Sequence, residues 1–211
     1  MRRLAVTSLL GLTCVVQAQA HRLDEYLQAT RIGIEPDRIE VEIDLTPGVA
    51  VAARVFWLID SDRDGKISDT EARAYARRVL GATKLQLDGH DRPLQLIDVI
   101  VPPPDAMAEG LGSIRVRALA SAPILLPGAH HLGFQNAHEA GLSVYLVNAL
   151  LPTNPGIQVM KQTRDELQRD YQLDFAVSGR VSPRRRILLL SAAVVAVLLA
   201  SAACAGPLNR N

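Results

Sequence analysis

The chain has 211 residues, of which 48% are hydrophobic and only 4% aromatic, and its formal net charge is +1. Six of the 23 basic residues lie in the two terminal segments, whereas all 22 acidic residues lie between them, so residues 21–183 carry about −5. Nucleic-acid binding needs a basic surface, and this acidic region argues against it. The low aromatic content argues against a groove that stacks sugars or bases.

The N-terminal segment has the pattern of a secretory signal peptide. Arg2 and Arg3 precede an apolar run from Leu4 to Val16, which ends at the small-x-small pattern Ala18-Gln19-Ala20. The apolar run is short for a helix that crosses a bilayer. We therefore predict a signal peptide over residues 1–20, cleaved after Ala20. An uncleaved membrane helix is the alternative interpretation.

Strand patterns follow the predicted cleavage point. Leu23 to Glu35 becomes strand-like towards its end, and Pro36-Asp37 indicates a turn. Residues 38–45 alternate strictly between polar and apolar side chains, which predicts a half-buried strand. Its apolar face consists of Ile39, Val41, Ile43 and Leu45.

Two helices are predicted next. Thr46-Pro47-Gly48 has the pattern of a helix start, with the threonine as N-cap and the proline at the first helical position. Val49 to Ile59 is apolar on most faces, so we expect this helix to be largely buried. The second helix is predicted over Asp69 to Leu80. It begins with a capping box at Ser68-Asp69-Thr70-Glu71 and ends at Gly81.

The segment between these helices, Asp60 to Glu71, has the ligand spacing of a calcium-binding loop. Carboxylates occupy positions one, three, five and twelve, Gly65 at position six permits a sharp turn, and Ile67 at position eight can pack on the core. The pattern resembles the EF-hand family over the whole loop, and the resemblance implies a bound Ca²⁺. An acidic turn that only caps a helix is the alternative. The candidate ligands are Asp60, Asp62, Asp64, Lys66 through its carbonyl, Ser68 and Glu71.

The remainder of the central region consists of short predicted strands, with loops at Pro102-Pro103-Pro104 and residues 152–155. Many short strands at regular spacing predict a mainly β fold, here an Ig-like β-sandwich. The EF-hand, at about residues 47–81, would be inserted between two strands. The predicted strands cover residues 84–88 and 93–101, on either side of an Asp88-Gly89 turn, then 113–118, 131–134, 143–147, 157–161 and 167–177.

The C-terminal segment from Ile187 to Ala205 is apolar and uncharged, and it is long enough to cross a bilayer. We divide the chain into the signal peptide, an extracytoplasmic domain over residues 21–182, and a transmembrane helix with a short tail over 183–211. The lipid bilayer is thus an expected partner. The arginines at 184–186 favour a cytoplasmic location for that flank, but the signal peptide favours a periplasmic or extracellular domain.

Three further stretches have a recognisable pattern: His21 to Ala29, Leu45 to Val49 and Ser143 to Asn148. With the calcium loop, they resemble the exported N-terminal domain of bacterial membrane proteins related to nickel/cobalt permeases and to hydrogenase and urease accessory proteins. The resemblance implies a periplasmic location and a link to metal handling. A permease needs several spans and this chain has one predicted span, so transport would require a separate multi-span membrane partner.

Other candidate sites have weaker support. His21 would become the N-terminal residue after cleavage, where its amine and imidazole can chelate Cu²⁺ or Ni²⁺. His130, His131 and His138 are expected on a solvated edge, the first two on opposite faces of a strand. We find no enzyme signature. The favoured function is a calcium-binding module with mainly structural calcium, and the alternative is an accessory, delivery or sensing subunit of a nickel/cobalt-type transporter.

Overall fold

Strand pairing dominates the computed structural model, which describes residues 24–179. The predicted signal peptide and transmembrane helix lie outside the described residues, and within residues 24–179 no helix is long and apolar enough to cross a membrane. The elements in chain order are β1 Tyr26–Ile34, β2 Arg38–Pro47, α1 Val49–Ile59, α2 Asp69–Gly81, β3 Thr83–Leu87, β4 His90–Asp91, β5 Gln95–Ile100, α3 Pro104–Ala108, β6 Ile114–Ser121, β7 Gly128–Asn136, β8 Ser143–Ala149, β9 Ile157–Arg164 and β10 Asp170–Val177.

The strands form two five-stranded sheets, in the orders β5-β6-β2-β1-β8 and β4-β3-β7-β10-β9. All strand pairs in the described region are antiparallel except β1 with β8, which run parallel. The prediction of a mainly β fold is confirmed, and two sheets of this kind are consistent with a β-sandwich. The α1–α2 segment connects β2 in the first sheet to β3 in the second.

Residue alternation explains how both sheets contribute to one apolar core. The predicted apolar face of β2 is buried as expected, including Ile39 and Ile43. The inward side chains of the second sheet, such as Leu132 and Phe175, belong to the same cluster. Because successive strand residues point to opposite faces, each strand buries one set of side chains and exposes the other. Removing this apolar surface from water is the main contribution to stability.

The predicted helix start at residues 46–48 is wrong. Thr46 and Pro47 belong to β2 and pair with Leu27 and Tyr26 of β1. The α1 helix begins at Val49, and its N-cap makes no side-chain hydrogen bond. The Thr46 hydroxyl is instead 2.6 Å from the Ser113 hydroxyl. Both residues pair with β1, and a proline is tolerated there because Pro47 lies beyond the last β2–β6 pair, Leu45 with Ile114, where β2 has only one neighbouring strand.

The α1 helix is less buried than its composition predicted. Its packing face is Val51, Ala52, Val55 and Ile59. Trp57 lies elsewhere on the helix and is 54% exposed. The apolar composition of α1 therefore did not predict which side chains are buried, because only one face of a helix can pack on a single core.

The Asp88-Gly89 turn is confirmed, and both residues have positive φ, 53° and 76°. A two-residue strand, β4, follows the turn, and the strand predicted over residues 93–101 is present as β5, Gln95–Ile100. Pro93 lies between β4 and β5, where its missing N–H cannot continue a strand ladder. The chain then crosses to the first sheet, where β5 pairs with β6. The predicted Pro102-Pro103-Pro104 loop also runs into the short helix α3.

Replacing a central core side chain tests this burial. Ile43 is 0% exposed in the middle of β2, whereas Ile100, on the edge strand β5, is 52% exposed. We expect Ile43→Ala to lower the free energy of unfolding by about 2–5 kcal/mol. The matched Ile100→Ala change should cost less than about 1 kcal/mol. Equal losses in urea-unfolding measurements would contradict the described core.

Candidate metal centre

The two ends of the acidic loop are fixed by the helices on either side. The N–H of Asp60 donates to the Phe56 carbonyl at 2.9 Å, so Asp60 is the C-cap residue of α1. Ser68 caps α2, because its hydroxyl accepts the Glu71 N–H and the Glu71 carboxylate accepts the Ser68 N–H. The predicted capping box is confirmed. It places Glu71 in the first turn of α2, where a negative charge favours the helix dipole.

Local hydrogen bonds fold the loop between these caps. Arg63 and Gly65 have positive φ, 62° and 79°, and reverse the backbone direction. The Gly65 N–H donates to Asp60 Oδ2 at 2.9 Å, and the Asp64 N–H donates to Asp62 Oδ1 at 3.1 Å. These bonds bring the Asp60 and Asp62 carboxylates onto the concave side of the turn. Ile67 packs against the apolar core, as its position in the loop predicted.

Three carboxylates meet inside the loop. Asp60, Asp62 and Glu71 each offer an oxygen, and these oxygens lie within 4.8 Å of one another. Asp60 is only 1% exposed, and its buried Oδ1 has no hydrogen-bond donor among the described residues. A buried carboxylate oxygen without a donor is costly, and a cation coordinated there would satisfy it. The donor set consists only of oxygen atoms, which suits a hard divalent ion.

The other predicted ligands are not part of this group of three. The Asp64 carboxylate is exposed and accepts the Lys66 N–H at 2.8 Å. The Ser68 hydroxyl donates to Glu71 Oε2 at 2.9 Å. Glu71 Oε1 meanwhile accepts the N–H of Ser61 at 2.7 Å, so both oxygens of this carboxylate already have donors. Oε1 also accepts the Ser61 hydroxyl at 3.0 Å and the Asp62 N–H at 3.3 Å, so a metal ion would bind Glu71 only by displacing some of these donors.

Neighbouring groups in the loop shift the pKa values of Glu71 and Asp62 in opposite directions. The N–H and hydroxyl of Ser68, together with the Ser61 N–H, lower the pKa of Glu71 to about 2. The Asp64 N–H acts to lower the pKa of Asp62, but desolvation and the negative charges of Asp64 and Glu71 outweigh it, and the pKa is raised. A cation among these groups would relieve the repulsion between them.

A buried polar cluster connects α2 to both sheets. The Tyr75 hydroxyl is 2.6 Å from the Tyr26 hydroxyl and 3.0 Å from Nε2 of His138. The His138 carbonyl accepts the Gln28 side-chain amide at 2.9 Å, and the His138 N–H donates to Asn136 at 3.0 Å. The sequence analysis missed this cluster, because its members come from strands and a helix far apart along the chain. It fixes the helix that carries Glu71.

His130 and His131 lie on opposite faces of β7, as the strand pattern predicted. His130 stacks on Phe175 with ring centroids 5.4 Å apart, whereas His131 is on the other face and bonds Asp174 at 2.7 Å. The expected placement on a solvated edge is wrong, because His138 is only 3% exposed and β7, which carries His130 and His131, lies between β3 and β10 inside its sheet. Within residues 24–179, no group of side chains suited to a metal includes a histidine.

No protein-family model matches the sequence, and no curated protein matches it either. The assignment of the acidic loop therefore depends on the geometry described above.

Acid should destabilise the fold through His138. Burial and the nearby charge of Arg78 lower the pKa of His138 to about 4, from an ordinary value of 6.5. The unfolded chain thus takes up the proton first, so the free energy of unfolding falls as the pH drops from about 6.5 to about 4. The loss reaches at most about 3 kcal/mol.

An NMR titration of the imidazole signals checks this directly. His138 should titrate near pH 4, whereas His131, whose pKa is raised by its hydrogen bond to Asp174, should titrate above 6.5. His138→Gln should remove most of the acid-dependent loss of stability. A His138 signal that titrates near 6.5 would mean that this side chain is not buried as described.

Proposed function

We propose that the chain is a membrane-anchored, extracytoplasmic calcium-binding module, in which Ca²⁺ mainly holds the geometry of an Ig-like β-sandwich domain. The observation that carries the proposal is the buried Asp60 Oδ1, which lacks a donor and lies in a group of three carboxylates. Ca²⁺ takes six to eight oxygen ligands, and carboxylates, carbonyls and hydroxyls are all suitable. The remaining loop ligands, Asp64, Lys66 and Ser68, are proposed from their positions in the sequence.

A structural role for calcium is supported by what surrounds the loop. The loop lies in the segment between β2 and β3, so it shapes one of the points at which the chain crosses from one sheet to the other. Val55 of α1 and Tyr75 of α2 are both buried in the core. A sensor EF-hand opens its helices to expose an apolar groove, and that motion would here unpack the core. Calcium bound by this loop would therefore stabilise the packed arrangement.

The alternative role, in nickel or cobalt handling, has less support from the described residues. Ni²⁺ and Co²⁺ sites favour imidazole ligands, and the carboxylate cluster has none. The nitrogen ligand proposed from the sequence is His21, which lies outside the described residues. The resemblance to domains of metal permeases remains the support for this alternative, which would also need a separate membrane partner.

Calcium should raise the free energy of unfolding because the native loop binds the ion and the unfolded chain does not. At a hundredfold excess over Kd, the increment is about 2.7 kcal/mol. Glu71→Gln should remove most of this increment, since it deletes one charge and weakens a bidentate ligand. The measurement is urea unfolding of each variant in excess calcium and in chelator, so that each variant is its own reference.

Asp69→Asn is the matched control for this experiment. Like Glu71→Gln, this substitution removes one negative charge from the loop. Asp69, however, is exposed in the first turn of α2 and is not a proposed ligand. Its calcium increment should stay within about 0.5 kcal/mol of that of the unsubstituted chain. A stability that is identical with calcium and with chelator in the unsubstituted chain would reject the proposal.

The membrane topology is tested by labelling single cysteines in intact cells. The background variant has Cys14 and Cys204 replaced by serine, which leaves no other thiol. A membrane-impermeant thiol reagent should label Ser182→Cys without lysis, because that residue precedes the proposed membrane helix on the outer side. It should label Asn211→Cys only after lysis. Labelling of Asn211→Cys in intact cells would contradict the proposed orientation.

A further inference from the structure

A cleft lies beside α2, between that helix and the β3–β5 segment. It has a volume of about 700 Å³ and is lined by four basic side chains, Arg73, Arg77, Lys84 and Arg92, and by one acidic side chain, Asp91. Small-molecule sites commonly have volumes of about 300–1,000 Å³. We propose that this cleft binds an organic anion that carries a phosphate or carboxylate group beside an apolar body.

The basic side chains of the cleft have no carboxylate partners within the described residues. Ten ion pairs connect side chains of opposite charge among the described residues, and none of them includes Arg73, Arg77, Lys84 or Arg92. The Nε of Arg92 is buried and has no acceptor. Four basic side chains against one carboxylate, Asp91, give the cleft an excess of positive charge in a domain of negative net charge, which favours an anion there.

The acidic groups near the cleft are already engaged elsewhere. The Asp91 carboxylate accepts the side-chain amide of Gln86 at 2.8 Å. Asp98, which lies close enough to Arg73 to sense its charge, is paired with Arg117 at 2.8 Å. These contacts leave the arginines of α2 available to an external oxyanion.

The positions of the arginines suit one oxyanion group. Arg73 and Arg77 are four residues apart on α2, so their side chains leave the same face of the helix. A guanidinium group can donate two parallel hydrogen bonds to one phosphate or carboxylate. Arg92 lies on the opposite wall, where its N–H donates to the Leu85 carbonyl at 2.8 Å and ties this wall to β3.

The floor of the cleft is apolar, and this decides the ligand class. Leu80 and Leu85 are nearly buried at its base, and Leu94 and Leu96 pack partly on the core beside them. A bare inorganic ion would leave this leucine surface in contact with water. An amphiphilic anion would bury the leucine surface and neutralise the arginines at the same time.

The test uses the full chain in a nonionic detergent at low ionic strength. Calorimetric titrations compare phenyl phosphate with its two parts, inorganic phosphate and phenol. We expect phenyl phosphate to bind at least about tenfold more tightly than either part, since only phenyl phosphate contacts both the arginines and the leucines. Saturable binding that inorganic phosphate matches, or no saturable binding of phenyl phosphate, would overturn the proposal.

Variants locate the binding in this cleft. The double change Arg73→Gln with Arg77→Gln should weaken phenyl phosphate binding by about tenfold or more, because it removes charge-assisted hydrogen bonds. Arg54→Gln removes a charge from an exposed helical arginine of α1, outside the cleft, and should change the affinity by less than about twofold. Equal affinities of the double variant and the Arg54 variant would overturn the assignment to this cleft.

Competition with short-chain lipids identifies the source of the anion. Displacement of phenyl phosphate by dihexanoyl phosphatidylglycerol, but not by the uncharged dihexanoylglycerol, would support the cleft as a site for an anionic lipid headgroup. Retention of phenyl phosphate with both lipids would support a soluble organic anion as the ligand. Displacement by both lipids to the same extent would overturn the proposal, because it would show that the negative charge plays no part.

Discussion

The arrangement of the domain depends on the buried face of β1. This strand pairs with β2 along one side and with the distant strand β8 along the other. Its inward side chains include polar groups, and Tyr26 and Gln28 are both fully buried. A buried polar group must find a partner inside the protein or lose the hydrogen bond that water would have made. Tyr26 finds Tyr75 of α2, and Gln28 finds Asn136 at the end of β7, so this requirement joins a helix and the second sheet to the first.

The side chains of α2 reach three different parts of the structure, because a helix with 3.6 residues per turn directs its side chains to all sides. Glu71 in its first turn belongs to the acidic loop. Tyr75, one turn later, points into the buried polar cluster, and Arg73 and Arg77 line the basic cleft on another face. Displacing this helix would therefore disturb the carboxylate cluster, the polar cluster and the cleft together.

Charge is segregated within the domain rather than averaged over it. The acidic loop has carboxylates grouped around Asp60, while the cleft beside α2 has arginines without ion-pair partners in residues 24–179. On the outer face of the first sheet, by contrast, opposite charges are interleaved, and Arg31 contacts both Glu42 and Asp44. Net charge argued against a general basic surface, and it did not reveal the basic cleft, because local potential depends on which side chains the fold brings together.

The amino-acid sequence by itself determined the features that depend on near neighbours in the chain. The alternation of residues 38–45, the capping box at Ser68 and Glu71 and the turn at Asp88-Gly89 all appear as predicted, because period, cap and turn chemistry act over a few residues. The loop spacing likewise predicted six ligands, and three of them, Asp60, Asp62 and Glu71, lie together in a loop that folds through its own hydrogen bonds.

Only the tertiary structure decided the features that depend on distant partners. Thr46 and Pro47 have the pattern of a helix start, but they pair with β1 and extend the β2 strand. His138 looks solvated, but Tyr75 of α2 and Tyr26 of β1, both far from it in the chain, pack against its ring. The parallel pairing of β1 with β8 and the cleft beside α2 left no local signal, because their free energy comes from packing between segments whose contact no short-range pattern encodes.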